Sequence, residues 1–261
     1  MNEFFIGLQF LTRISIVRQT VWTEESFGKS VKFFPAVGAV LGICYALPLF
    51  ILVLVTDCEL PIFTGAVAFF LSVILTGGIH CDGLMDSADG LFSGRERDKI
   101  LEIMKDSRAG SFGVVALVTV AALQISAAVE LLKLLPMLFL LAIYSAPVIG
   151  RLAMVLAISI FPYARPEGIG KAFSKYATPK TFFTALVETF FLLLPLYFIN
   201  EEIFCTAIIS ILAAVIFTLY FGKYVMLKLG GLTGDIYGAV EFLSEVLVLI
   251  VFLSAGTFWI N

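Results

Sequence analysis

Charge is what this sequence lacks most. Only 14% of its 261 residues are Asp, Glu, Lys or Arg, against 60% that are hydrophobic, and the mean hydropathy is +1.04. That balance excludes an ordinary soluble domain and a disordered chain alike. Histidine occurs once, at His80, so no imidazole cluster is available to a transition metal. The four cysteines, Cys44, Cys58, Cys81 and Cys205, form no CxxC pair. Three fall in or beside apolar segments, where a thiol behaves as a small hydrophobe, and neither a disulfide nor a zinc site is expected. No basic patch points to nucleic acid. The opening Met1-Asn2-Glu3 lacks a positive n-region and no small-residue cleavage site follows, so the start is expected to stay in the cytoplasm. Internal repeats and low-complexity tracts are missing too, which gives no support to an inverted-repeat transporter.

What is present is a succession of long apolar runs. Lipid offers backbone groups no partner, so a spanning segment is a helix of roughly 20 apolar residues or a strand of a closed barrel. These runs lack the alternation of a barrel strand. The expected fold is therefore all-α, a polytopic bundle of about seven transmembrane helices forming a single integral membrane domain over residues 1–261. The spans fall at about 33–55, 61–79, 111–129, 134–160, 181–199, 203–222 and 236–260, the fourth being divisible at Pro147. The segment of about 1–32 mixes Phe4, Phe5, Leu8 and Leu11 with Arg13, which suits an interfacial amphipathic helix or a packed cap.

The loops orient the bundle. With the N-terminus inside, the segments 1–32, 80–110, 161–180 and 223–235 carry Arg13, Arg18, Lys29, Lys32, Arg95, Arg97, Lys99, Lys105, Arg108, Arg165, Lys171, Lys175, Lys180, Lys223 and Lys228. The other side receives only Lys133, beside Asp57, Glu59, Glu130, Glu201 and Glu202. The positive-inside rule then predicts a cytoplasmic N-terminus and a cytoplasmic segment at about 80–110.

That segment opens His80-Cys81-Asp82-Gly83-Leu84-Met85-Asp86-Ser87-Ala88-Asp89-Gly90. On a helix, Asp82, Asp86 and Asp89 lie at i, i+4 and i+7 and share one face. Three like charges on one face repel unless a cation sits among them, although a solvated helix end also tolerates them. Hard carboxylate oxygens suit Mg2+, with Mn2+ as the alternative, and magnesium keeps positions open for phosphate oxygens. The expected chemistry is metal-dependent phosphoryl transfer. Gly83 and Gly90 break helix propensity, and close approach of a large ligand would explain them.

Farther on stands Lys105-Asp106-Ser107-Arg108-Ala109-Gly110-Ser111. Lys105 and Arg108, with Ser107 between them, can bind phosphate, and Ser111 fits as the N-cap of the next span. Positive-inside anchoring accounts equally for Lys105 and Arg108 but has no use for Asp106. Gly230-Gly231-Leu232-Thr233-Gly234-Asp235 forms a further loop, in which Thr233 or Asp235 either meets a ligand or caps a helix. Arg165 adds one cation in the turn Pro162-Tyr163-Ala164-Arg165-Pro166. Arg151, Glu188, Glu241 and Glu245 lie inside spans, in the cytoplasmic half. They either floor the site or pair with one another, Arg151 with Glu188 or Glu245. His80 is a candidate base or phosphate donor, or a plain helix-end residue.

Six stretches in order resemble the cobalamin synthases, the adenosylcobinamide-GDP ribazoletransferases. They are LQFLTRI from Leu8, FFPAVGAVLG from Phe33, GGIHCDGLMDSADG from Gly77, IMKDSRAGSFG from Ile103, PYARPEGIG from Pro162 and GGLTGDIYGAVEFLSE from Gly230. Cys81 and Met85 depart from the Leu and Ala associated with that motif, and neither change touches a carboxylate. The resemblance implies transfer of cobinamide phosphate from adenosylcobinamide-GDP to α-ribazole or its 5′-phosphate, with release of GMP, as the last assembly step of a cobalamin. It implies a multi-pass protein of the inner membrane. Under it Asp82, Asp86 and Asp89 hold metal and take part in catalysis, with Asp106 supporting them or orienting the nucleophile. Lys105 and Arg108 hold the pyrophosphate, with Ser107, Arg165, Thr233, Asp235 and Glu241 as further substrate contacts. Asp89, Asp106 and His80 are the candidates for the proton acceptor. A CDP-alcohol phosphotransferase is the alternative, but its DGxxAR opening is absent because Asp86 and Ser87 replace the Ala-Arg pair. A cation-coupled transporter would place its main acidic cluster near the midplane, and here that cluster is at the membrane edge.

Overall fold

The computed structural model describes residues 2–17 and 23–260, without the side chains of Asn2, Trp259 and Ile260. Arg18, counted above among the loop cations, lies outside the described residues. Thirteen α-helices occur among them. In order they are α1 (Asn2–Leu11), α2 (Glu24–Ser30), α3 (Phe34–Thr56), α4 (Pro61–Thr76), α5 (Ile79–Leu91), α6 (Arg97–Ile103) and α7 (Ser111–Leu134). Then come α8 (Pro136–Ile160), α9 (Ile169–Tyr176), α10 (Pro179–Leu193), α11 (Pro195–Ile199), α12 (Glu201–Leu229) and α13 (Gly234–Ile260). Strand-like pairing among the described residues is confined to a bridge between Tyr163 and Leu232.

Six helical stretches are long and apolar enough to cross a bilayer, and a seventh results if the bent pair α4–α5 is taken as one span. Each coincides with one of the seven apolar runs. Their outer faces keep the large apolar side chains that a soluble protein would bury, such as Val55, Phe198 and Leu227, each more than three-quarters exposed. Lipid is the solvent for those faces, and the chain is a polytopic membrane protein.

The centre of the bundle is α8, almost wholly buried and surrounded by α3, α10, α12 and α13. Pro147 stays inside α8 and does not divide it. Small residues set how closely the helices meet. Gly38 and Gly42 of α3 lie directly on the backbone of Pro147 and Tyr144, where a Cβ has no room. Without a hydrophobic drive between helices in lipid, such close backbone contact is a main source of association.

The described residues of the first segment include two short helices, α1 and α2. Ile6, Leu8 and Leu11 of α1 are buried, and α1 packs on α2 and α3, with Lys32 pairing to Glu3 at 2.7 Å.

One bend positions the site. After α4, Gly77 and Gly78 both adopt left-handed backbone, at φ 68° and 73°, a conformation costly for any side-chain-bearing residue. Their N–H groups donate to the carbonyls of Ile74 (3.2 Å) and Val73 (2.8 Å), closing α4 before α5 leaves at 93° to it. The second span therefore ends at Thr76, three residues earlier than the apolar run suggests. α5 turns across the end of the bundle and packs on α13 and α7.

Candidate active site

Because α5 is helical throughout, Asp82, Asp86 and Asp89 do share one side of it, but their surroundings differ. Asp82 is exposed, and Asp86 and Asp89 are partly buried. Asp89 accepts the Gly110 N–H at 2.8 Å with one oxygen and the Gly113 N–H at 2.9 Å with the other. It thus caps α7 from a different helix, meeting the positive end of that helix dipole. Ser111 is the first residue of α7 and not its cap; Gly110 takes the cap position and lacks a side chain to serve there. Room for Asp89 is the reason, since a Cβ on Gly110 or Gly113 would collide with its carboxylate.

The side chains of Asp82 and Asp86 have no hydrogen-bond or ion-pair partner among the described residues. Partial burial, with the negative charges of Asp82 and Asp235 beside it, pushes the Asp86 carboxyl up to about 7. Arg165 acts in the opposite direction. Arg165 itself pairs with Asp235 at 2.7 Å, and the Thr233 hydroxyl donates to the same carboxylate at 3.2 Å. Thr233 also accepts the Ile236 N–H at 3.3 Å, so it caps α13. The structure thus brings Asp82, Asp86, Asp235, Arg165 and Thr233 together from three separated stretches.

Gly83 and Gly90 are explained by helix packing and not by a ligand. A Cβ on Gly83 would stand 2.7 Å from the Asp235 carbonyl oxygen, and one on Gly90 would strike Met104. Gly231 is likewise held against the backbone of Pro162 and Ala164, where Ala164 N–H donates to Leu232 O and Leu232 N–H to Pro162 O, both at 2.8 Å. Arg97 ties these loops together, giving hydrogen bonds to the carbonyls of Leu229 (2.8 Å) and Ala164 (3.1 Å). Sequence reading treated Arg97 only as a positive-inside charge, and nothing local betrays its structural use.

Asp106 and Arg108 engage each other. The guanidinium donates to both carboxylate oxygens, at 2.6 Å from Nη2, and holds the Asp106 carboxyl down at about 2. Arg108 and Ser107 are exposed. Lys105 lines a 300 Å³ cleft together with Arg97, Arg165 and Pro166.

Beneath α5 the polar groups are buried. Arg151 of α8 is fully buried and its Nη1 contacts both Glu241 and Glu245 of α13. Glu188 lies apart from Arg151, against the backbone of Ala36. His80 is buried with its Nδ1 3.6 Å from Glu241 and has no hydrogen bond on either ring nitrogen. Glu241 is therefore reached through His80 and not from solvent. Burial pushes the Cys81 thiol up to about 12, which makes it a poor nucleophile at neutral pH.

Two cavities meet at Asp82. A 140 Å³ pocket joins it to His80, Asp235 and Tyr237. A 510 Å³ cleft shares Phe10, Ile79 and Asp82 with that pocket and is also lined by Gln9, Arg13, Gly77 and Met85. Arg13 is a site residue that the sequence did not disclose, because its position 69 residues before Asp82 offers no spacing signal.

The family model for cobalamin-5-phosphate synthase matches residues 3–253. The chain belongs to this family. Among curated members, it is similar to the adenosylcobinamide-GDP ribazoletransferase of Desulfitobacterium hafniense, at 38% identity over 96% of each chain. The protein of that name from Brevibacillus brevis is 36% identical over the full length of both, and that of Clostridium acetobutylicum 37% identical over 94% of this chain and 92% of its own. No solved structure matches the chain. In the cobalamin-5-phosphate synthase family as represented here, the match runs through every element that builds the α5 site.

Proposed function

We propose that this protein is an adenosylcobinamide-GDP ribazoletransferase, joining cobinamide phosphate to α-ribazole or its 5′-phosphate and releasing GMP. The full-length family match carries the reading. The acceptor's ribose hydroxyl attacks the phosphorus nearer the cobinamide, forming a new P–O bond while the P–O bond to GMP breaks. Asp82 and Asp86 are the groups that would hold Mg2+. Among the described residues no three His, Cys, Asp or Glu side chains converge into a metal cage, yet magnesium typically takes one or two carboxylates plus waters and substrate phosphates. Two carboxylates without a partner among the described residues fit that habit. When bound, the ion stabilises charge on the bridging and leaving oxygens.

Lys105, Arg108 and Arg165 supply the cations for the diphosphate. Arg108 changes partner from Asp106 to phosphate when substrate enters. Of the three candidate bases, Asp106 is paired with Arg108 and held down at about 2, and each Asp89 oxygen takes a backbone N–H of α7. His80 shares a pocket with Asp82, and burial together with Arg151 pushes it well below the ordinary imidazole value, so it stands neutral and able to accept a proton but is a weak base. His80→Gln should lower kcat with little change in donor KM, and an unchanged kcat would assign the proton elsewhere.

The test of the whole reading is an assay of purified protein with adenosylcobinamide-GDP, α-ribazole and magnesium, following GMP by chromatography. Chelation should stop the reaction and magnesium restore it. Release of CMP from a CDP-alcohol donor, with no GMP, would replace the assignment by the lipid-enzyme alternative. The positive loop charges support a site at the cytoplasmic face of the inner membrane. A cytoplasm-active reporter fused after Glu202 should be silent and one after Arg97 active; the reverse would invert the topology.

A further inference from the structure

We infer that the 510 Å³ cleft between α1 and α5 seats the phosphorylated acceptor, with Arg13 binding its 5′-phosphate. The inference rests on the ribazoletransferase reading and adds a subsite to it.

Arg13 is held in place from both ends. Its backbone N–H donates to the Leu75 carbonyl at 2.7 Å, and its guanidinium lies flat against Gly77, where no Cβ fits. The same glycine whose left-handed backbone turns α5 out of line thus makes room for the arginine. The other arginines around the carboxylates are engaged: Arg165 with Asp235, Arg108 with Asp106, Arg97 with Asp98 and two carbonyls. Arg13 has no ion-pair or side-chain hydrogen-bond partner among the described residues. An exposed, fixed and unpaired guanidinium facing a cleft is suited to a phosphate oxygen pair.

Position decides which phosphate. Lys105 and Arg165 line a separate cleft with Arg97, Arg108 follows three residues after Lys105, and several cations match a diphosphate. Arg13 stands alone beyond Asp82, which matches a single monoester. A cleft of this size is within the roughly 300–1,000 Å³ range of small-molecule sites. Phe10, Ile79 and Met85 line it with apolar surface for a flat base. A nucleotide placed so has its phosphate on Arg13, its base on those side chains and its ribose toward Asp82, where the hydroxyl must react. The nucleophile then comes from the Arg13 cleft, and GMP leaves toward the cleft lined by Lys105 and Arg165.

The experiment compares α-ribazole with α-ribazole 5′-phosphate on the same preparation of full-length enzyme. Arg13→Gln should lower the ratio of kcat/KM for the phosphorylated acceptor to that for the nucleoside by roughly tenfold or more, and Arg13→Lys should recover part of it. Because the result is a ratio within one preparation, misfolded protein does not affect it. An unchanged ratio in Arg13→Gln overturns the assignment, whether or not overall activity falls. Binding of α-ribazole 5′-phosphate alone, by equilibrium dialysis, separates this failure from failure of the underlying reading. Wild-type binding weakened by Arg13→Gln in a protein that releases no GMP supports the subsite and removes the proposed reaction, whereas equal binding by both proteins removes the subsite.

Discussion

The two ends of α5 carry the same residue and put it to opposite uses. At its C-terminal end Asp89 is saturated: each oxygen takes a backbone N–H from the start of α7, and the charge is answered by a helix dipole. At its N-terminal end Asp82 and Asp86 lack partners among the described residues, Asp82 lines two cavities, and its charge disfavours ionisation of Asp86. A carboxylate that the fold satisfies holds the fold. One that the fold leaves unsatisfied, at a mouth large enough for substrate, is free to take a cation. The three-aspartate spacing is one pattern in the sequence and two environments in the structure.

Exchanging each aspartate for asparagine breaks this comparison most directly. Asp82→Asn and Asp86→Asn should cut GMP release on the order of 10²–10³-fold, the usual loss when a group stabilising transition-state charge is removed. Neither should lower thermal stability, since each removes a repulsive charge. Asp89→Asn should behave the other way. Its amide keeps only one acceptor oxygen, leaving one α7 N–H unanswered, at a cost of about 1–3 kcal/mol. Thermal unfolding in detergent, run beside the turnover assay, resolves the two patterns. Equal stability losses at all three positions would erase the distinction.

How much of this was legible in the sequence follows from what kind of signal each feature leaves. Seven apolar runs each about a bilayer long identify the spans, because lipid imposes length and composition on every one of them. The carboxylates of α5 were visible through helical spacing. The trans cap was not: Asp89 and Gly110 are far apart in sequence, and Ser111 is a better local cap than the glycine that displaces it. Gly83 and Gly90 looked like room for a ligand because propensity reports that a helix glycine is unusual and says nothing of whether a substrate or a neighbouring helix approaches it. The same ambiguity hid Arg13 and Arg97, two loop cations that the positive-inside rule explains too easily. Arg151 was expected to pair with Glu188 or Glu245, and it bridges Glu245 and Glu241 because both lie on the α13 face that α8 packs against.

The smallest effect sharpens the comparison at a single group. Asp86 in the metal-free fold is raised from 3.8 to about 7, while the unfolded chain keeps the ordinary value. For an acid raised in this way, the native state binds a proton that the unfolded state has already lost between those two pH values. Its contribution to stability is present in full below pH 4 and is lost as pH rises through about 7. Magnesium reverses the sign, since a neighbouring cation favours the carboxylate, and binding must then expel the proton that Asp86 holds. At pH 6 that proton is nearly fully present and at pH 8 nearly absent. Magnesium titrations in two buffers of different ionisation enthalpy should therefore release about one proton per site at pH 6 and few at pH 8. Asp86→Asn should abolish the difference, whereas Asp89→Asn, whose carboxylate is already committed to α7, should keep it. Equal release at both pH values in the unaltered protein would take Asp86 out of the metal site.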